Sequence, residues 1–379
     1  MSAESDATEH SAMLRDSVAD FVARGTDIAR VRRMRTQAQE CDRGVWSRMA
    51  ELGWLGALVP EACGGLGLGL GEAAIVAEGL AGALVPEPYT AVAVLAATAL
   101  AQSPAGGTRD GLLRAIASGQ SIVALAWQET AGETEVDRIT ARATPFEGGY
   151  KLEGVKRYIV GGSAADGYLY SARAGDELAL YWVARDTAGA RVSFDTLADG
   201  RPCTTLALTD ALVPRAHEVA RGAQARAALE YARDCATVIV GAELLGVMNR
   251  ALDMSLDYMR TRVQFGKPIG SFQALQHRAV DLYIQRQLAS AVLEDGLRRM
   301  AAVTDAQTRA AIASRVKARC SEAGLRIARE AIQIHGAIGF TDEYDAGLYL
   351  KRALVLASWL GNASLHRRRY ARLALGAQI

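Results

Sequence analysis

Cysteine is scarce and scattered: Cys41, Cys63, Cys203, Cys235 and Cys320 are the five in 379 residues, odd in number and without a CxxC pair. That spacing excludes a zinc ribbon or a disulfide framework and points to reduced thiols in a cytosol. The five histidines fall in no metal-ligand spacing either. An excess of one charge sign is also missing. With 43 Lys and Arg against 42 Asp and Glu, the formal net charge is +1, so no long-range field draws the chain to nucleic acid or acidic lipid. The basic run HRRRYAR (366–372) reads as a solvated last helical turn, favoured by the negative end of the helix dipole. The apolar run AVAVLAATALA (91–101) is too short to cross a bilayer, and the acidic opening MSAESDATEH lacks the character of a targeting segment. A cytoplasmic protein with no membrane anchor and no nucleic-acid partner is expected. The glycine run GGLGLGLGE (64–72) contains no complete GxGxxG and no βαβ context, so it reads as a flexible loop between helices rather than a dinucleotide fingerprint.

What is present is ample chain for two or three domains, with half the residues hydrophobic and 22% charged, a soluble globular profile. Up to about residue 120 the apolar residues recur at helical spacing, as in MLRDSVADFVA and VWSRMAELGWLGALV. Between 121 and 222 short alternating runs such as GYKLEGVKRYIV are separated by Gly and Asp turns, which predicts antiparallel strands. From 223 to 379 helical periodicity returns and persists. Three domains are therefore expected at 1–120, 121–222 and 223–379, in a mainly α protein with a central β domain. Helices and strands in separate blocks exclude a doubly wound sheet.

Two stretches carry more chemistry. In YMRTRVQFGKPIGSFQALQHR (258–278) a helix ends in arginines, breaks, and a new amphipathic helix begins. Arg262 offers a forked cation suited to phosphate, Phe265 an aromatic surface and Gln273 an amide. Those cations also have a plain reading, as complements to the negative end of the helix dipole. In AIQIHGAIGFTDEYDAGLYLKRA (331–353) a helix stops at Gly336, with Gln333 and His335 just before the stop.

In this order, and after this α, β, α layout, the two stretches resemble signatures of the acyl-CoA dehydrogenase family, a resemblance that covers essentially the whole chain. It implies an N-terminal helical domain, a middle antiparallel, β-barrel-like domain and a C-terminal four-helix bundle, assembled as a dimer or tetramer. It also implies FAD lying between the β domain and the bundle, reaching a neighbouring subunit. Carried over position by position, Arg262, Gln264 and Phe265 fall on the contacts to FAD diphosphate and adenosine. Ile269 and Gln273 fall on the same surface, and Gln333 with Gly336 on the second adenosine-side contact. Ala337 stands where a second glycine is usual.

The family's reaction removes the α-proton of an acyl-CoA thioester with a carboxylate while the β-hydride leaves to flavin, giving the trans-2-enoyl-CoA, with electron-transfer flavoprotein as acceptor. The proton is too weakly acidic for water, so a positioned base is needed. The family's usual glutamate, directly before a glycine, registers on Leu360 of ASWLGNAS, with Gly361 as the glycine and Asn362 following at the cofactor side. Leucine accepts no proton. The alternative base position of some relatives falls on Ala236. Two helical turns along the same helix is Glu243, set among apolar residues and readable as a general base or as the partner of an arginine across the bundle. Asp234, in YARDCA, reads as solvent-facing. In the β domain Gln128, Glu129 and Thr130 replace a usual Thr-Glu-Pro. Tyr158, Ile159, Val160 and Gly161 replace a Trp-Ile-Thr-Asn, so Tyr158 can stack on flavin while Val160 offers no hydroxyl to it.

Such losses together resemble the small, catalytically incomplete subunit of paired acyl-CoA dehydrogenases acting on pimeloyl, steroid side-chain or other bulky acyl-CoA substrates. Three functions stay open at this stage. One is a dehydrogenase of fatty-acid or steroid side-chain catabolism with Glu243 as internal base. Another is a non-catalytic FAD-pocket subunit, paired with a glutamate-bearing homologue. The last is other flavin chemistry, oxidase or monooxygenase, on the same fold.

Overall fold

The computed structural model describes residues 2–25 and 27–375. The chain begins with α1 (Ser2–Gly25), α2 (Ile28–Thr36), α3 (Arg43–Glu51) and α4 (Leu70–Gly82). A π-helical stretch, Thr90–Ala96, then runs into α5 (Ala97–Ala101), and α6 (Gly107–Ala117) closes the first helical block. Next come β1 (Val123–Ala126), β2 (Arg142–Phe146), β3 (Gly149–Ile159), β4 (Gly167–Ala174), β5 (Glu177–Ala184), β6 (Ala190–Thr196), β7 (Pro202–Pro214) and β8 (Glu218–Arg221). The long α7 (Gly222–Thr261) leads to a small hairpin of β9 (Val263–Gln264) and β10 (Lys267–Pro268). The chain then completes α8 (Gln273–Met300), α9 (Ala306–His335), α10 (Ala346–Ser358) and α11 (Ala363–Leu375).

Local chemistry sets several of these limits. Asp42 caps α3 by accepting from Gly44 N and Val45 N, and Asp305 caps α9 by accepting from Thr308 N at 2.7 Å. At the other end α9 stops on Gly336, whose φ of 63° glycine adopts without strain.

Packing divides the chain into two compact units that do not follow its order: residues 33–73 with 86–236, and residues 1–32 and 74–85 with 237–379. In the first, the strand order is β6-β7-β3-β2-β4-β5-β8, with β1 added against β4. Neighbours are antiparallel except that β1 and β2 run parallel to β4, and no pairing joins β6 to β8, so the sheet is open. The glycine run of 64–72 is pinned rather than flexible. Leu66 N, Gly67 N and Leu68 N donate to the carbonyls of Gly56, Val59 and Ala57, and a Cβ at Gly65 would lie 2.1 Å from Val59 O.

In the second unit α7, α8 and α9 pack through small residues. Gly241 and Gly296 both face Val316, and Gly324 faces Leu244, so the backbones approach closely. Among the described residues one helix, α7, is long and apolar enough to cross a membrane by length and composition. Yet 89% of its apolar window is buried, the signature of a core helix. The expectation for the basic run 366–372 is corrected, since His366 and Arg369 are buried. The Arg369 guanidinium donates to Ser314 Oγ at 3.2 Å. One face of α11 packs on α9, so only the outward cations of that run are solvated.

Candidate functional site

The turn after α10 can be built from its hydrogen bonds. Trp359 N donates to Val355 O and Gly361 N to Ser358 O, while Asn362 Oδ1 accepts from Leu365 N at 2.9 Å and so caps α11. Between them Leu360 takes φ 58° and Gly361 φ 103°. Leu360 is 1% exposed, and its carbonyl accepts from His366 Nε2 at 2.8 Å. A buried leucine therefore occupies the position where sequence reasoning sought an acid. The Asn362 carbonyl is committed to the helix cap, which leaves its amide nitrogen for any ligand.

Beneath the turn lies a side chain that the sequence reading missed. Lys317, on α9, is fully buried and donates to Leu356 O at 2.8 Å, Gly361 O at 3.0 Å, Ala357 O at 3.1 Å and Ser321 Oγ at 3.2 Å. Burial pushes its pKa down from 10.5 to about 7, against the pull of Cys320 and Glu243. A signal existed. Ala310, Ala313, Ser314, Lys317, Ser321 and Gly324 recur at helical spacing, so the lysine sits within a stripe of small residues that packing buries.

Glu243 is buried on α7, and Arg352 Nη2 from α10 donates to its Oε2. Arg352 was not singled out from the sequence, and its place on the buried face of α10 is what supplies the ion pair. Asp234 does not face solvent. It is fully buried, and Arg233 donates to its Oδ1 through Nε at 3.1 Å and Nη2 at 2.9 Å. Arg233 in turn donates to Thr134 O at 2.7 Å. A polar pair in sequence reads as surface, but here the arginine and aspartate neutralise each other inside the packing. Ala236 is buried and bears no ionisable group.

The bundle-side binding candidates cluster at helix ends. Arg262, at the end of α7, has an exposed guanidinium with no hydrogen bond or ion pair among the described residues, while its backbone carbonyl accepts from Ile269 N at 2.8 Å. Gln264 and Phe265 sit in the β9–β10 hairpin. Phe265 is 91% exposed at φ 53°, edge-on to Phe272 at 6.1 Å, and Lys267 Nζ lies 4.4 Å from the Phe272 ring. Ile269 is buried under the hairpin, whereas Gln273 at the start of α8 and Gln333 in the last turn of α9 are exposed. Beyond Gly336 the Ala337 methyl faces outward. The close approach is instead at Gly339, where a Cβ would lie 2.8 Å from Ile332 O. His335 is structural: Nδ1 donates to Ala331 O at 2.7 Å and the ring packs against both Tyr258 and Tyr344, with burial lowering its pKa.

In the sheet unit, Tyr158 ends β3 at φ 58° and 40% exposed, a conformation unusual for a bulky side chain. The loop after it is clamped by side chains. Glu40, buried, accepts from Gly161 N at 2.7 Å, Ser163 Oγ at 2.6 Å and Ser163 N at 3.2 Å. Arg185 Nη1 donates to the carbonyls of Gly162, Ser163 and Ala165. Burial raises the Glu40 pKa while those donors and Arg201 pull it down. Glu129 faces inward as the partner of fully buried Lys156, at 2.6 Å, whose pKa burial depresses to about 8. The Gln128 side chain donates to Glu133 O. These replacements therefore serve the sheet's own polar network.

The chain is similar to known proteins over nearly its whole length. Family models described as acyl-CoA dehydrogenase N-terminal domain and C-terminal domain match residues 8–120 and 221–375. Acyl-CoA dehydrogenase IpdE2 of Mycobacterium tuberculosis is 31% identical over 353 residues, 91% of each chain. A chain of the ChsE4–ChsE5 complex from Mycobacterium tuberculosis is 28% identical with TM-score 0.87, covering 97% of this chain and 98% of that one. A chain of the Tcur3481–Tcur3483 steroid ACAD, solved as a variant, is 27% identical with TM-score 0.86 over the same shares.

Proposed function

Because the chain belongs to the acyl-CoA dehydrogenase family of flavoprotein oxidoreductases, we propose that it is the FAD-binding, base-lacking subunit of a paired acyl-CoA dehydrogenase. Its partner is a glutamate-bearing homologue, its substrate a bulky, steroid side-chain type of acyl-CoA, its compartment the cytoplasm and its electron acceptor electron-transfer flavoprotein. The observation that carries this reading is that Leu360, at the position the resemblance gives to the base, is a buried leucine. Glu243, the other acid considered, is held by Arg352 as a counter-ion. A carboxylate that must take a proton is poorly served by a permanent guanidinium bonded to it, which favours its charged form and lowers its basicity. The names of two relatives, the ChsE4–ChsE5 complex and the Tcur3481–Tcur3483 enzyme, describe paired chains and support a heteromer.

The residues present fit FAD. Arg262 supplies an uncommitted planar guanidinium for a diphosphate, Phe265 an exposed ring for adenine, and Gln264, Gln273 and Gln333 amides around it. The resemblance assigns Ile269 and Gly336 to the same cofactor contacts, and Asn362, whose side-chain oxygen caps α11, keeps its amide nitrogen for the cofactor. Held there, FAD would supply the acceptor for the hydride that leaves the β-carbon of the acyl chain. Tyr158 offers the ring for flavin stacking, and Val160 supplies no hydroxyl there. Leu360 and Trp359 wall the acyl side and exclude water, while the α-proton goes to a carboxylate base supplied by the partner chain. Phe265 and Phe340, 91% and 80% exposed, are apolar surface that a neighbouring chain would cover.

The test is a visible spectrum of the chain purified alone, and again with a glutamate-bearing homologue, before and after anaerobic addition of acyl-CoA. Bleaching only in the mixture is expected. Bleaching by the chain alone would overturn the reading and return Glu243 to the role of base, while peroxide or a hydroxylated product in air would point to oxidase or monooxygenase chemistry.

A further inference from the structure

Leu360 adopts φ 58°, a left-handed conformation that residues other than glycine, asparagine and aspartate seldom take. Nothing in the leucine side chain favours it. The backbone around it is instead held from below. The last turn of a helix leaves its carbonyls without intrahelical donors, and α10 ends here with Leu356 O and Ala357 O directed at one amine. Lys317 Nζ reaches both, and Gly361 O beyond the turn, at 2.8, 3.1 and 3.0 Å. One nitrogen thus meets three carbonyls, with Ser321 Oγ as a fourth and longer contact at 3.2 Å, at the negative end of a helix. The carbonyl between them, Leu360 O, is taken by His366 Nε2 from α11. Each of these carbonyls belongs to the backbone, so none of the contacts to them depends on which side chain stands at 360.

We infer that Lys317 is a positioning residue, whose side-chain nitrogen clamps the carbonyls of Leu356, Ala357 and Gly361 and thereby fixes the direction in which residue 360 projects. This deepens the proposed function, since it rests on position 360 facing the acyl group, but the clamp can be read without cofactor or substrate. The groups facing the amine are Glu243 on α7 with its partner Arg352 on α10, and Cys320 and Ser321 on α9 itself.

The experiment is hydrogen exchange on the full chain carrying Lys317→Met, with Lys317→Gln as the milder variant that keeps two N–H donors. In the methionine variant the amides of Trp359 and Gly361, bonded to Val355 O and Ser358 O, should exchange about ten to a hundred times faster. The glutamine variant should fall between it and the parent, and amides of α7 beyond Thr237 should keep their protection. Unchanged exchange at 359 and 361, or an equal rise through α7 and α9, overturns the clamp. If the methionine variant does not fold, the glutamine variant carries the same two outcomes. A loosened turn with unaltered acyl-CoA chain-length preference in the reconstituted pair would keep the clamp and refute the acyl-facing role given to residue 360.

Discussion

Removing the guanidinium from the buried pair tests whether Glu243 is a counter-ion. In Arg352→Met the Glu243 carboxylate stays on the buried face of α7 without its partner from α10. Breaking a buried pair by deleting one partner costs about 3–5 kcal/mol, because an uncompensated charge remains. Both side chains have further interactions, and Glu243 acts electrostatically on Lys317, so the lower end of that range applies. For a body of roughly 150–250 residues, each kcal/mol moves Tm by about 2–4 °C, which predicts a fall on the order of 10 °C. The double variant Glu243→Met with Arg352→Met removes both charges and keeps apolar volume. It should recover most of the loss, giving a coupling energy of about 2 kcal/mol or more. The assay is urea and thermal unfolding followed by far-ultraviolet circular dichroism for the parent, both single variants and the double. A loss under about 1 kcal/mol for Arg352→Met, or a double variant no better than the sum of its singles, would refute the counter-ion role and leave Glu243 available for proton transfer.

Two more outcomes are expected. Leu360→Glu restores a carboxylate at the base position on an unchanged backbone. The chain loaded with FAD should then bleach with acyl-CoA at least about a hundredfold faster than the parent, and no gain in that stopped-flow rate would remove position 360 from the reaction. For pH, Lys317 has a folded pKa pushed down to about 7 from 10.5, so the unfolded chain binds the extra proton between those values and stability rises with pH across that window. The stability of the parent relative to Lys317→Met should climb by about 1.4 kcal/mol per unit from pH 7 toward 10. A flat difference in unfolding midpoints over that range would show that the amine stays charged in the fold.

Much of the architecture was legible because it rests on periodicity. The 3.6-residue spacing of the first and last thirds and the alternation between them depend only on which residues must be buried. The breaks at Gly266 and Gly336 follow from backbone freedom at glycine. That a leucine and not an acid stands at 360 was equally visible, since it is a matter of residue identity. Asp234 shows where such reading fails: a charged pair in sequence says nothing about whether the two charges neutralise each other under a packed surface.

The sequence by itself determined the order of helices and strands and offered Arg262, Phe265 and Gln273 as binding candidates, with a leucine at 360. Only the tertiary structure decided what became of the buried charges. Glu243 met Arg352 from a helix a hundred residues later in the chain, and Lys317 met three carbonyls of α10 and its turn. Glu129 met Lys156 across the sheet, and Glu40 met the loop after Tyr158. The reason is physical. Burying a charge is tolerable only where packing delivers a partner at hydrogen-bond distance, and that partner comes from wherever the fold folds back, at no fixed spacing along the chain.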